Sequence, residues 1–268
     1  MTQPLLTHYQ LGSGVVAFSS TRHGGYSQGH YAAFNINNYC GDNPVAIQKN
    51  REALCQLLGI EDKRLLMPHQ VHRAEVAYIN TSFLDLTPEE QKEKLEGIDA
   101  IITNIPGICI GVSTADCIPI LLYDPQHGVV AAVHAGWRGT VQRIAKKAVA
   151  AMTACYDSQP SDVVAQIGPG ISLQSFEVGQ EVYDAFAAEG FSMEAIACLM
   201  PANQGTERGE KWHIDLPLCN RQQLVEAGVI NEQIHTLPIC TYEHHDDYFS
   251  ARRLGIHSGR IFTGIMLK

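Results

Sequence analysis

The sequence predicts an α+β protein with a mixed β-sheet core flanked by helices, and three observations carry that prediction. Four short apolar runs follow one another between Asp99 and Ala135, separated by turn residues. Four other stretches repeat their apolar residues at helical spacing. Strand and helix signals do not alternate in the regular βαβ rhythm of a doubly wound sheet, which leaves the mixed class. The 268 residues, 45% apolar and 18% charged, supply a substantial core. No repeat, low-complexity tract or long polar linker divides them, so a single domain over residues 1–268 is expected.

From the amino terminus, the first expected element is a helix. Gly41-Asp42-Asn43-Pro44 sets a capping residue and a first-turn proline before Ile47, Leu54, Leu57 and Leu58, and Gly59 marks its end. A strand is expected from Ala74. The four apolar runs are Ala100 to Thr103, Ile108 to Val112, Ile118 to Tyr123 and Val129 to His134. Pro106-Gly107, Ala115-Asp116 and the stretch Asp124 to Gly128 turn the chain between them, and their nearly continuous apolar character predicts burial on both faces. The fourth run leads into His134-Ala135-Gly136-Trp137-Arg138-Gly139-Thr140, after which Val141, Ile144, Ala145, Ala148 and Met152 follow at helical spacing with Thr140 as the expected N-cap. Strand, glycine turn and helix start together aim backbone N–H groups at the neighbourhood of His134, a position suited to an anion. Val163 to Ile167, Ile234 to Ile239 and Arg260 to Met266 read as strands, and Glu177 to Ala188 and Leu216 to Ala227 as helices.

Composition narrows the function classes. Nineteen basic against 28 acidic residues give a net charge of −9, which does not suggest a surface that tracks nucleic acid. The apolar runs are broken well before the roughly 18 residues of a membrane span. Met1 to Gln10 is polar and lacks the basic start and apolar core of a secretory signal. A cytoplasmic protein with no nucleic-acid or membrane partner is therefore expected. Eight Cys and 12 His are the unusual entries in the composition. The cysteines, at positions 40, 55, 109, 117, 155, 198, 219 and 240, form no CxxC pair, so neither a zinc ribbon nor a thioredoxin-type motif is present. Most are expected to be small buried thiols.

Two segments gather groups able to do chemistry. Met67-Pro68-His69-Gln70-Val71-His72 sets two histidines three residues apart; on extended backbone they point to opposite faces, so at most one would serve a site. In Thr114-Ala115-Asp116-Cys117-Ile118-Pro119 a thiol opens one strand, and His134 closes the next. Adjacent strands can bring such ends together. With one further histidine they would form an N₂S set with an open fourth position, the pattern of a catalytic rather than a structural zinc. The same proximity suits a nucleophilic Cys117 activated by His134 and oriented by Asp116. Asp116 also suits the plainer task of closing a turn. Spacing does not choose among these readings.

A resemblance does choose. Thr114-Ala-Asp-Cys-Ile-Pro119, followed by Val129-Val-Ala-Ala-Val-His-Ala-Gly-Trp-Arg-Gly-Thr140, resembles the signature of the YfiH/YlmD family, multicopper-oxidase-like proteins also described as laccase-domain or FAMIN-related purine nucleoside enzymes. The likeness runs along nearly the whole chain. Ser20 to Ser27 resembles the family's STRxGGxS pattern, and Asn35, Gly41-Asp42 and Asn50-Arg51 resemble the family's next positions. Gln70-Val71-His72 resembles its QVH motif; Ile167 to Ile171, Phe176 to Gly179, Cys240-Thr241-Tyr242 and Phe249 to Arg253 resemble later blocks. The sequence departs from the pattern at Ser258-Gly259-Arg260, where a TGR triplet is usual, and at Arg73, where glycine is common.

The resemblance implies the YfiH/cytotoxic-necrotizing-factor-like fold and a zinc ion held by His72, Cys117 and His134. It favours Cys117 as a metal-bound thiolate over a free nucleophile. It further implies phosphorolysis of adenosine, inosine, guanosine and methylthioadenosine, with purine nucleosides and phosphate as partners, and deamination of adenosine. Phosphorolysis needs anion donors, and Arg138 beside the expected helix start, or Arg22 beside two glycines, would hold phosphate or polarise a purine oxygen. Asp116 or a nearby group would manage protons. Trp137 is read as a purine stack or an apolar anchor, and Arg252 and Arg253, if extended, as facing opposite ways. His244-His245-Asp246-Asp247 looks like a metal cluster but reads more readily as a hydrated loop. Deamination would be an independent solution, because the HxE and PCxxC pattern of another zinc deaminase class is absent. Two alternatives stand beside this reading: copper-dependent phenol oxidation, which also uses a His₂Cys set but with a weak axial ligand, and a metal-stabilised binding or regulatory protein without turnover.

Overall fold

The computed structural model describes residues 3–202 and 209–268. The chain opens with an antiparallel pair, β1 (Leu6–Tyr9) and β2 (Val15–Ser20), and continues into helix α1 (Pro44–Leu58). Asn43 caps α1 by accepting from the Val45 and Ala46 amides, Pro44 occupies the first turn, and Gly59 ends the helix at φ +69°, where a side chain would be strained. Next come β3 (Leu65–Leu66), β4 (Val76–Ile79), the short helices α2 (Thr81–Leu84) and α3 (Pro88–Lys94), and four strands: β5 (Ala100–Thr103), β6 (Cys109–Thr114), β7 (Ile118–Asp124) and β8 (Val129–Ala135). The turn α4 (Trp137–Val141) and helix α5 (Ile144–Tyr156) follow, then β9 (Val164–Ile167) and β10 (Glu177–Val178). Helices α6 (Gln180–Ala188) and α7 (Met193–Ile196), strands β11 (Ala197–Pro201) and β12 (Glu210–Ile214) and helix α8 (Leu216–Glu226) precede β13 (Ile234–Thr236), the single turn α9 (Ala251–Leu254) and β14 (Ile261–Leu267). Among the described residues no helix is long and apolar enough to cross a membrane.

Six local expectations are corrected. Thr140 does not cap the long helix: it is buried inside α4, its hydroxyl accepts from Asn220 Nδ2, and the chain turns through Arg143 at φ +63° before α5 starts. The expected helix from Glu177 begins at Gln180, because Glu177 and Val178 pair with β12. The strand from Ile234 stops at Thr236, two residues before Pro238, and the strand expected from Ala74 starts at Val76. Arg252 and Arg253 lie in α9 rather than on extended backbone. Finally, cysteine burial is less general than expected: Cys40, Cys55, Cys109 and Cys219 are buried, but Cys155 is exposed and Cys117, Cys198 and Cys240 are partly so.

The strands form two large sheets, in the orders β1-β2-β14-β6-β3 and β13-β9-β7-β8-β5-β4, and a small third sheet, β10-β12-β11. The four successive strands are thus divided. β6 pairs with β14 and β3, whereas β5 pairs with β8 and β8 with β7. Alternation along each strand sorts its side chains to two faces. Ile110 and Val112 of β6, Leu121 and Tyr123 of β7, and Val130 and Ala132 of β8 share one apolar cluster, so the two large sheets pack face to face. The outer face of the six-stranded sheet, with Ile120, Val133 and Ala135, packs on α5, α8 and the small sheet. The outer face of the five-stranded sheet, with Phe18, Cys109 and Phe262, packs on α1 through Leu54 and Cys55. The result is an α+β sandwich with helices on both outer faces, and both faces of the central strands are buried as expected.

A candidate metal centre at one end of the sandwich

Strand order places the site. β4 and β5 are parallel, β8 is antiparallel to β5, and β7 is antiparallel to β8. The starts of β4, β5 and β7 and the end of β8 therefore lie at one end of the sheet. His72 precedes β4, Asp99 precedes β5, Cys117 precedes β7 and His134 stands near the end of β8. Alternation turns His134 to the face between the two sheets, the side opposite Val133 and Ala135. One donor atom from each of His72, Cys117 and His134 lies within 4.8 Å of the others. The two imidazoles meet edge to face with centroids 4.8 Å apart.

Asp99 organises this group, and sequence reasoning misses it. It is fully buried, and His134 Nδ1 donates to its Oδ1 across 2.7 Å. That bond sets the imidazole so that Nε2 is the nitrogen left for a metal. The carboxylate also accepts from the amides of Val71 at 3.4 Å, His72 at 3.0 Å and Arg73 at 2.8 Å. Three successive amides folded around one anion fix the loop, with His72 in the left-handed region at φ +62°. The premise that residues 69–72 are extended therefore fails at His72, and both histidines line the same cavity. The signal available in the sequence was a lone acidic residue immediately before the apolar run at Ala100.

Charge in the site favours a ligand set ready for a cation. Burial pushes the Cys117 thiol up, but the charge and hydrogen bonds of His134 and His72 outweigh it and bring the thiol well below its ordinary value. Burial pulls the His134 imidazole down, yet the Cys117 thiolate and the Asp99 carboxylate raise it on balance. Burial likewise pushes Asp99 up, and the bonds from His134 and the 71–73 loop hold it below the usual carboxylate range. Gly136 lets the three donors approach: a Cβ there would stand 3.0 Å from Cys117 Sγ and 3.0 Å from His72 Cδ2. Two imidazoles, a thiolate and a side open to a cavity fit a four-coordinate divalent ion with one exchangeable position.

The cavity over this group has a volume of about 280 Å³ and is lined, besides the three donors, by Asn37, Tyr39, His69, Ser113, Thr114 and Arg260 among others. Its floor is rigid. Gln70 Nε2 donates to the Ser113 carbonyl at 2.8 Å, the Ser113 amide donates to Gln70 Oε1 at 2.7 Å, and Asn37 Nδ2 donates to the Ser113 hydroxyl. Thr114 lines the cavity, and its Oγ1 is buried with no hydrogen-bond partner among the described residues. Arg260 spends its guanidinium on the carbonyls of Ile256, Ser258 and Gly259.

The remaining expected site residues stand outside the cavity lining. Asp116, at φ +85°, accepts from the Thr241 hydroxyl at 2.8 Å and from the Arg252 amide at 2.7 Å, joining two distant segments behind Cys117. Arg22 donates to the carbonyls of Ala32 and His245 and lies over the Phe249 ring. Arg138 is exposed, with its guanidinium over the ring of Trp137. Trp137 itself packs on the helical side of the six-stranded sheet. Arg252 donates to the Glu177 carbonyl and Arg253 to the Tyr242 hydroxyl. In the 244–247 stretch His245 lies 3.7 Å from Asp246, and Asp247 takes a bond from His23, an arrangement of surface pairs.

Fold and site together define an α+β sandwich protein with a two-histidine, one-cysteine group that could bind a metal ion. The family model described as multi-copper polyphenol oxidoreductase laccase matches residues 16–268, and the chain belongs to that family. A relative from Bacteroides thetaiotaomicron named purine nucleoside phosphorylase is 45% identical over 255 residues, covering 95% of this chain and 92% of the relative. A protein of an unknown prokaryotic organism, named adenosine deaminase RL5, is 44% identical over 95% of both chains. Among solved structures, YlmD from Geobacillus stearothermophilus superposes with a TM-score of 0.84 at 30% identity, covering 97% of this chain and 94% of that one.

Proposed function

We propose that the chain is a cytoplasmic, zinc-dependent purine nucleoside enzyme acting as a single domain over residues 1–268. Its reactions are phosphorolysis of adenosine, inosine, guanosine and methylthioadenosine, and deamination of adenosine. The observation that carries this reading is the convergence of His72, Cys117 and His134 within 4.8 Å at an open cavity they help to line. The names of the relatives from Bacteroides and of RL5 support purine nucleosides as the substrate class. Zinc held by His72, Cys117 and His134 would supply a Lewis acid for a purine or phosphate oxygen and would lower the pKa of water at the open position toward about 7.

The protein's own groups do the positioning. Asp99 holds His134 in one tautomer and the His72 loop in one conformation, so the donors need no rearrangement on binding. Asp116 ties Thr241 and the Arg252 amide behind Cys117 and keeps the wall of the site in place. Arg138 is the anion ligand of this reading by its charge and its place after Gly136; it stands exposed outside the cavity lining, with its guanidinium over the Trp137 ring. Arg22, the second cation, ties Ala32 to the 245–249 segment by donating to the Ala32 and His245 carbonyls and lying over the Phe249 ring.

Chromatography of adenosine and inosine incubated with the protein, with and without phosphate, tests the reading. Free base with ribose 1-phosphate supports phosphorolysis, and ammonia release supports deamination. Unchanged substrates would favour a metal-stabilised binding protein. Metal analysis of Cys117→Ala is expected to show zinc lost, and full retention would remove the central claim. The family description supports copper-dependent phenol oxidation as the second reading; a blue absorbance on stoichiometric copper loading would favour it.

A further inference from the structure

Phosphorolysis leaves one requirement without a residue, since a departing purine needs a proton. Asp116 has both carboxylate oxygens committed, and His134 has one nitrogen on Asp99 and the other beside Cys117. We propose that His69, held by Glu96 and stacked on Tyr39 in the wall of the metal-site cavity, is the catalytic residue that gives this proton. The proposal rests on reading the chain as a purine nucleoside phosphorylase.

The geometry is that of a prepared acid. His69 Nδ1 lies 2.7 Å from Glu96 Oε1, so this nitrogen donates to the carboxylate and Nε2 is the one left for substrate. No hydrogen-bond partner takes Nε2 among the described residues. The Tyr39 ring stacks on the imidazole at a centroid distance of 4.0 Å and an interplanar angle of 18°, which fixes the ring plane. The backbone locks the pair in register: the His69 amide donates to the Leu95 carbonyl, and the His69 carbonyl accepts from the Gly97 amide, each at 3.0 Å. The imidazole is 33% exposed and lines the same cavity as His72, Cys117 and His134, so a small substrate seated against the metal group also meets His69. Glu96 is a positioning residue here, acting through the imidazole it orients.

The step balances. An oxygen of hydrogen phosphate forms the bond to C1′, the C1′–N9 bond breaks, and its electron pair passes into the purine. His69 acts as the imidazolium, one N–H on Glu96 and the other on Nε2; the Nε2 proton goes to N7, the imidazole becomes neutral and the base leaves neutral. The remaining phosphate proton, more acidic in the ester, returns to the imidazole through water.

The test compares guanosine with 7-methylguanosine, whose N7 already carries a methyl group and a positive charge and needs no proton. With zinc content measured on the same samples, His69→Gln is expected to lose about 10²–10⁴-fold in kcat on guanosine and little on 7-methylguanosine, with zinc unchanged. Glu96→Gln is expected to show the same selectivity with a smaller loss. Equal losses on both nucleosides would make His69 a structural residue and overturn the proposal. Wild-type protein that cleaves neither nucleoside would overturn the phosphorylase reading itself and the role of His69 with it.

Discussion

A single carboxylate, Asp99, holds the metal-site group together by bonding at once to the His134 ring and to three amides of the loop that carries His72. Asp99→Asn keeps the shape and some of the amide bonds but loses the charge that sets the His134 tautomer. Competition against a chromophoric chelator is expected to show zinc affinity reduced about 10–100-fold, with an unchanged far-UV spectrum. An affinity equal to wild type would deny Asp99 that role. Cys117 and His134 were legible as partners because one opens a strand and the other closes the next. The choice of His72 from the pair at 69 and 72 rested on resemblance, since the left-handed backbone at His72 depends on an aspartate 27 residues away. His69 was legible as a residue but not as part of the site, because its partners Tyr39 and Glu96 come from separate loops.

At the scale of the element, the turn from β7 to β8 depends on Asp124, which accepts from the Gln126 and His127 amides and from the His127 ring. Burial pushes this carboxyl up, and the hydrogen bonds it accepts outweigh that effect and hold it below the usual range. Its folded pKa is therefore the lower of the two states, so its contribution is present above the unfolded value, about 4, and fades as pH falls through the folded one. Denaturant unfolding of Asp124→Asn should show a stability deficit against wild type near neutral pH that narrows below about pH 4. A deficit that widens on acidification would contradict the assignment. Element limits were largely legible: α1 has its cap, proline and terminal glycine in the sequence, and β5 matches its expected span. Thr140 was misread because an isolated threonine before an apolar period looks like a cap, whereas Asn220 from α8 holds it inside a turn of its own.

In the whole molecule, the layer between the two large sheets sets stability and places the site at its open end. Leu121 is fully buried in that layer, with Tyr123, Ile110 and Val130 in the same cluster. Leu121→Ala is expected to cost about 2–5 kcal/mol, read as a lowered urea midpoint with an unchanged slope; a cost below about 1 kcal/mol would place this layer outside the core. The sequence by itself determined the mixed class, the apolar runs that become β5 to β8, and a thiol and an imidazole at adjacent strand ends, because propensity, alternation and turn residues act over a few positions. Only the tertiary structure decided that β6 leaves its neighbours for the second sheet, that four strand ends meet, and that Asp99 and Glu96 bond to two histidines lining one cavity. Those decisions depend on burying both faces of the central strands at once, and that free energy exists only when segments far apart in the chain are packed together.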